Sequence, residues 1–125
     1  MIKQVSGDFS STVEAAKKAL ADNGFGVLTE IDVSATLKKK LDVEYPKTLI
    51  LGACNPKLAH QALQFDADIA TLMPCNVVVR ENAEGQVEVA AINPEIGKTL
   101  TSDATMLEVL EQGTQKLRSA LNALS

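Results

Sequence analysis

The chain has no tryptophan, one tyrosine and three phenylalanines among 125 residues. Its core must therefore be aliphatic, built from Leu, Val, Ile and Ala. There is one histidine, so every Ser-His-Asp arrangement would have to share it, and no such constellation is legible. No glycine-rich phosphate loop is present. Gly24-Phe25-Gly26 lacks the third glycine and precedes a strand pattern rather than following one. Basic clusters are confined to Lys38-Lys39-Lys40, with no aromatics between them, and the net charge is −4. That excludes the basic stripe or stacking platform that nucleic acid needs. No apolar run approaches the ~20 residues of a membrane span. The opening MIKQVSGDF has no apolar stretch of the signal-peptide kind. These absences point to a cytoplasmic chain with neither nucleic acid nor membrane as partner. Two cysteines in such a compartment read as free thiols.

The length is that of one domain, residues 1–125, large enough to bury a core without staples. Ile2 to Val5 reads as an opening strand. Ser11 and Glu14 have the spacing of a capping box, S-x-x-E, at the start of a helix over residues 11–23. Val13, Ala16 and Leu20 recur there at helical spacing. Gly24 can take the left-handed conformation past its end, with Phe25 folding back onto Leu20.

Phe25, Val27, Thr29, Ile31 and Val33 alternate with Gly26, Leu28, Glu30 and Asp32, which predicts a half-buried strand. Glu30 and Asp32 then share a face about 7 Å apart. They could bind a cation or act as acid and base; the plainer reading is a solvated side of the strand. Ser34 is placed to cap a short helix with Leu37 and Leu41 on one side.

The stretch from Lys47 to Val79 holds the longest apolar run, the histidine and both cysteines. Thr48 to Ala53 lacks alternation, as in a central strand buried on both faces. Asn55 is a good N-cap and Pro56 suits the first position of the next helix. Leu58, Ala59, Ala62, Leu63 and Phe65 would form its buried stripe, leaving His60 on the polar side. Val77 to Arg80 and Gln86 to Ile92, joined by Glu81–Gly85, predict a hairpin. A last helix from Ser102 or Asp103 to Leu124 carries Leu107, Leu110, Leu117, Leu121 and Leu124, with Gly113 marking a bend or close contact.

Cys54 follows a strand and precedes a helix start, where the helix dipole favours a thiolate. Equally, a free cysteine is often just a small buried hydrophobe. Cys75 begins the strand after Pro74. The C-x20-C spacing is neither a zinc motif nor a redox C-x-x-C, and two sulfurs with one imidazole fall short of a closed tetrahedral site. No metal site is assigned, and no cofactor is specified.

The motifs G-F-x-V-L-x-E-I-D-V at residues 24–33, G-x-C-N-P at residues 52–56 and P-C-N-V at residues 74–77 resemble those of the domain of unknown function 302 family. The resemblance spans nearly the whole chain. It implies a compact α+β domain of bacterial or archaeal type and homodimeric assembly, and brings no agreed activity or catalytic residues.

The expected fold is α+β, a two-layer sandwich with a mostly antiparallel sheet of about five strands and helices on one face. Apolar residues on the other face, such as Val78 and Ile92, would be covered by a second subunit. Three functions stay open. One is a small-molecule or soft-metal binding module using Cys54, Asn55, Cys75 and Asn76, with Glu30, Asp32 and His60 as accessory groups. Another is a thiol enzyme or redox sensor in which Cys54 attacks and Cys75 resolves. The third is a structural homodimerisation domain in which the two Cys-Asn turns only shape the chain.

Overall fold

In the computed structural model, which describes residues 1–125, five strands form one antiparallel sheet in the order β1-β5-β4-β3-β2. They are β1 (Ile2–Val5), β2 (Gly26–Asp32), β3 (Thr48–Cys54), β4 (Cys75–Glu81) and β5 (Val87–Ala91). Four α-helices accompany them: α1 (Phe9–Asp22), α2 (Val33–Leu41), α3 (Pro56–Phe65) and α4 (Ala104–Asn122). Short 3-10 turns occupy Ala67–Leu72 and Pro94–Thr99. No helix is long and apolar enough to cross a membrane.

Antiparallel partners share a sheet face, so the register defines what each face carries. Ala91, Val77 and Leu51 lie in one row, and Val89, Val79 and Leu49 in the next. These face the helices. They pack with Ala16 and Leu20 of α1 and Leu117, Ala120 and Leu121 of α4 in a single aliphatic core. Leu51, Val79 and Val89 are fully buried. The absence of large aromatics is met by close approach of small residues, and Phe25 alone among the aromatics is buried. A second, smaller cluster joins Leu58 and Ala62 of α3 to Met106 and Val109 of α4. Thus α3 rests on α4 rather than on the sheet. That narrow seat leaves Leu63 and Phe65, expected inside, exposed at 37% and 48%.

Local signals act as the residue types require, with some displacement. The cap of α1 is Asp8, not Ser11: Asp8 Oδ1 accepts from the Ser11 amide at 2.8 Å, and the helix begins two residues earlier than the capping box suggests. Asp8 supplies the same chemistry one turn earlier. At the other end Gly24 has φ +86°, and the Phe25 amide donates to the Leu20 carbonyl at 2.9 Å. The cap of α2 is Asp32, which accepts from the Ala35 amide at 2.9 Å. Ser34, expected there, instead donates to Asp32 Oδ1 and accepts from the Thr48 amide. The β4–β5 hairpin forms as predicted, its loop held by Asn82 Oδ1, which accepts from the amides of Glu84 and Gln86.

Two expectations need correction. β3 is second from the edge, not central, and on its second face Thr48 and Ile50 are half-buried rather than buried by helices. In β2 the alternation breaks. Val27 pairs with Ala53 but Thr29 pairs with Gly52, so Leu28 is the extra residue of a bulge. Beyond it every side chain changes face: Ile31 points away from the helices and is 51% exposed. In α4, Gly113 does mark a close contact, with the Pro94 ring 3.5 Å from where a Cβ would be.

Candidate functional site

The two Cys-Asn turns come together as the ends of adjacent strands. Ala53 pairs with Cys75, and Gly52 with Asn76. Because side chains alternate along a strand, Cys75 shares the core face with Ala53, whereas Cys54 is directed to the other. Cys75 is half-buried and packs against the aliphatic core. Its thiol is pushed above the ordinary value of 9.0, first by burial and then by the neighbouring Cys54. Both cysteines are free. Burial among Val and Ala side chains disfavours the thiolate, so Cys75 is a neutral thiol at pH 7. The pH–rate profile for alkylation of Cys75 is accordingly expected to have its midpoint above 9.0. Mass spectrometry of the Cys54→Ser protein treated with iodoacetamide measures it, and a midpoint at or below 9.0 would contradict the burial.

The start of α3 is already satisfied. Asn55 Oδ1 accepts from the Leu58 amide at 3.1 Å, the Asn55 carbonyl accepts from the Ala59 amide at 2.9 Å, and Pro56 has no amide to offer. Asn55 is therefore used as a cap, and the amides that an anion would need at this helix start are largely spent. Asn76 is exposed, and its carbonyl accepts from the Ile92 amide at 3.1 Å. No buried side-chain nitrogen or oxygen lacks a hydrogen-bond partner. Nor do three or more His, Cys, Asp or Glu side chains gather where they could hold a metal ion.

The accessory groups lie elsewhere. His60 is on the exposed side of α3. Glu30 and Asp32 share a face of β2, as the alternation implies. It is the helix-bearing side, at the sheet edge, since Glu30 pairs with Leu51 and Asp32 with Leu49. Glu30 accepts from Lys17 of α1 at 3.2 Å. The Asp32 carboxyl is held below its ordinary range, first by the Ala35 amide and then by the Ser34 hydroxyl. Each carboxylate thus has a structural partner, and they do not converge on a common point with the cysteines.

Sequence reading expects apolar residues on the opposite face of the sheet, such as Val78 and Ile92, but not their continuity across the strands. Ile2 pairs with Ala90, Ala90 with Val78, Val78 with Ile50, and Ile50 with Ile31. This is an unbroken apolar row across all five strands. The buried apolar side chains of α1, α3 and α4 all lie in the two clusters above, and α2 buries none. Beside the row lie Thr29, Gly52 and Asn76, with Ile92 next to Asn76 and 43% exposed. On the other flank, Arg80 and Glu88 are paired with one another at 3.3 Å. They are the only charged side chains that the five strands place on this face, in a chain with 28 Lys, Arg, Asp and Glu residues. The bulge at Leu28 completes the row by turning Ile31 onto it, and a bulge leaves no mark in a hydropathy pattern.

Residues 1–124 match the family described as Domain of unknown function DUF302. The chain is also similar to a crystal structure of an uncharacterized conserved protein DUF302 from Bacillus stearothermophilus. Identity is 24%, the TM-score is 0.90, and the match covers 100% of this chain and 97% of the other. At that identity the likeness shows the fold. No curated protein matches the chain.

Proposed function

As the chain belongs to the DUF302 family, whose description carries no activity, we propose from the geometry that it is a self-associating domain. In this reading the helix-free sheet face packs on the same face of a second copy. The observation that supports it is the uncharged row Ile2–Ala90–Val78–Ile50–Ile31. Depletion of charge with retention of aliphatic surface is what distinguishes the middle of an interface from ordinary protein surface. Large exposed apolar patches on monomers are uncommon. A second copy suits the face because a two-fold axis sets each half of the row against the other half, aliphatic on aliphatic. It also brings no net charge of its own to the centre, which matters for a chain of charge −4.

Cys54, Asn55, Cys75 and Asn76 are then shapers of the chain at one end of this face, not ligands. Asn55 caps α3, Cys75 fills the core, and Asn76 extends the β4 ladder. Two free thiols suit a reducing, cytoplasmic setting.

The test is Val78→Lys. Val78 is half-buried in the middle strand of the row, where a lysine reaches water in a monomer and is desolvated in a dimer. Sedimentation equilibrium should give a wild-type dimer at micromolar concentration and a dissociation constant at least tenfold higher for the variant, with an unchanged circular dichroism spectrum. A wild-type protein that is monomeric at 100 µM would sink the reading.

A further inference from the structure

We infer that the arm formed by α2 and residues 42–46 is part of the same interface, reaching from each copy onto the other; this rests on the self-association reading above. Val33, Leu37 and Leu41 recur every four residues and so form one stripe of α2. Exposure rises along it: Val33 and Leu37 are half-buried, whereas Leu41 is 67% exposed. The stripe leads away from the body of the protein instead of into it. The chain then continues as Asp42-Val43-Glu44-Tyr45-Pro46, without regular secondary structure, and Val43 and Tyr45 are 44% and 53% exposed.

A nine-residue helix is marginal in isolation, and α2 buries none of its residues. Its polar side is nonetheless arranged. Asp32 caps its start, and Lys38 at its end holds both Asp42 at 2.9 Å and Glu44 at 2.8 Å. Asp42 turns the chain at φ 53°. Lys38 is thus paired on the polar side, and the far end of the apolar stripe, at Leu41, is left exposed.

Area identifies the occupant as a second copy. Five strands about 4.8 Å apart and about five residues long give a face of roughly 400 Å². A stable interface takes about 800 Å² from each partner. The sheet face supplies about half of that footprint, and the arm, which joins β2 to β3 at the Ile31–Ile50 end of the row, is the uncovered apolar surface that adjoins it. In an isologous dimer each arm would border the partner's row, so both surfaces are covered in one association.

Two measurements decide it. The first is the dimer dissociation constant of Leu41→Ser/Tyr45→Ser, both exposed positions whose change leaves the core untouched. It should rise at least tenfold by sedimentation equilibrium. The second compares backbone deuterium exchange of residues 35–41 in the wild-type dimer and in the Val78→Lys monomer, where it should be at least tenfold faster. A dimeric wild type whose double variant binds within threefold of it, with equal exchange of α2 in dimer and monomer, overturns the arm while leaving the sheet-face dimer standing. A wild type that is monomeric overturns both.

Discussion

Leu117→Ala is expected to destabilise the protein by about 4 kcal/mol, near the upper end for buried leucine truncation. The thermal midpoint should fall by about 15 °C at this chain length. Leu117 is 1% exposed and lies where α4 crosses the helix-bearing face of the sheet. Two features place its cost high. The core there is made of small side chains, Ala16, Ala19, Ala91 and Ala120, which cannot swing in to refill lost volume. A void of about 10 Å³, with a wholly apolar lining that includes Leu117, already exists at the spot. Its lining offers a water no hydrogen-bond partner. Truncation therefore enlarges an existing gap instead of opening one that neighbours could close. Urea unfolding followed by circular dichroism measures the change. A loss below about 1.5 kcal/mol would mean that the core relaxes freely, and the account of it as a fixed aliphatic packing would fail.

How the sequence encodes this fold differs from element to element. Where a signal is local and made by one residue type, it is legible. Gly24 ends α1 and Phe25 folds back, Asn55 and Pro56 open α3, and a five-residue loop closes the β4–β5 hairpin. Where two residues can do the same job, sequence gives the function but not the position. Asp8 and Asp32 take the caps of α1 and α2 that Ser11 and Ser34 were expected to hold. A carboxylate accepts an amide bond as well as a hydroxyl does. Where a one-residue shift decides the face, sequence is blind. The bulge at Leu28 exchanges the faces of everything after it, which puts Ile31 on the open side and Glu30 beside Lys17.

The candidate site shows the same division. That Cys54 and Cys75 come to neighbouring strand ends is foreseeable from the two strands around one helix. That they are directed to opposite faces follows only from the Ala53–Cys75 pairing. The apolar run of β3 suggested burial on both sides because hydropathy cannot tell burial by the chain itself from burial by another molecule. Ile50 and Val78 carry that ambiguity, and the sheet register resolves it by lining them up with Ile2, Ala90 and Ile31.

Gly52→Ala is expected to cost about 2 kcal/mol, although alanine ordinarily gains over glycine inside a strand by restricting the unfolded chain. Gly52 is buried at the end of the open face where Thr29, its partner on β2, leans over it. A Cβ there would overlap Thr29 Oγ1 and lie 2.9 Å from the Pro74 Cγ. The two obstacles are unequal. Thr29 is exposed and can turn about its first side-chain bond, whereas the Pro74 ring is fixed to the backbone that leads into β4. Thr29→Ala in the Gly52→Ala background should therefore recover part of the loss and not all of it. The remainder reports the contact with Pro74. A double-mutant cycle by urea unfolding separates the two contributions. If Gly52→Ala alone is as stable as the wild type, the close seat of Thr29 and Pro74 over β3 is wrong. The G-x-C-N-P turn would then need another reason for its glycine.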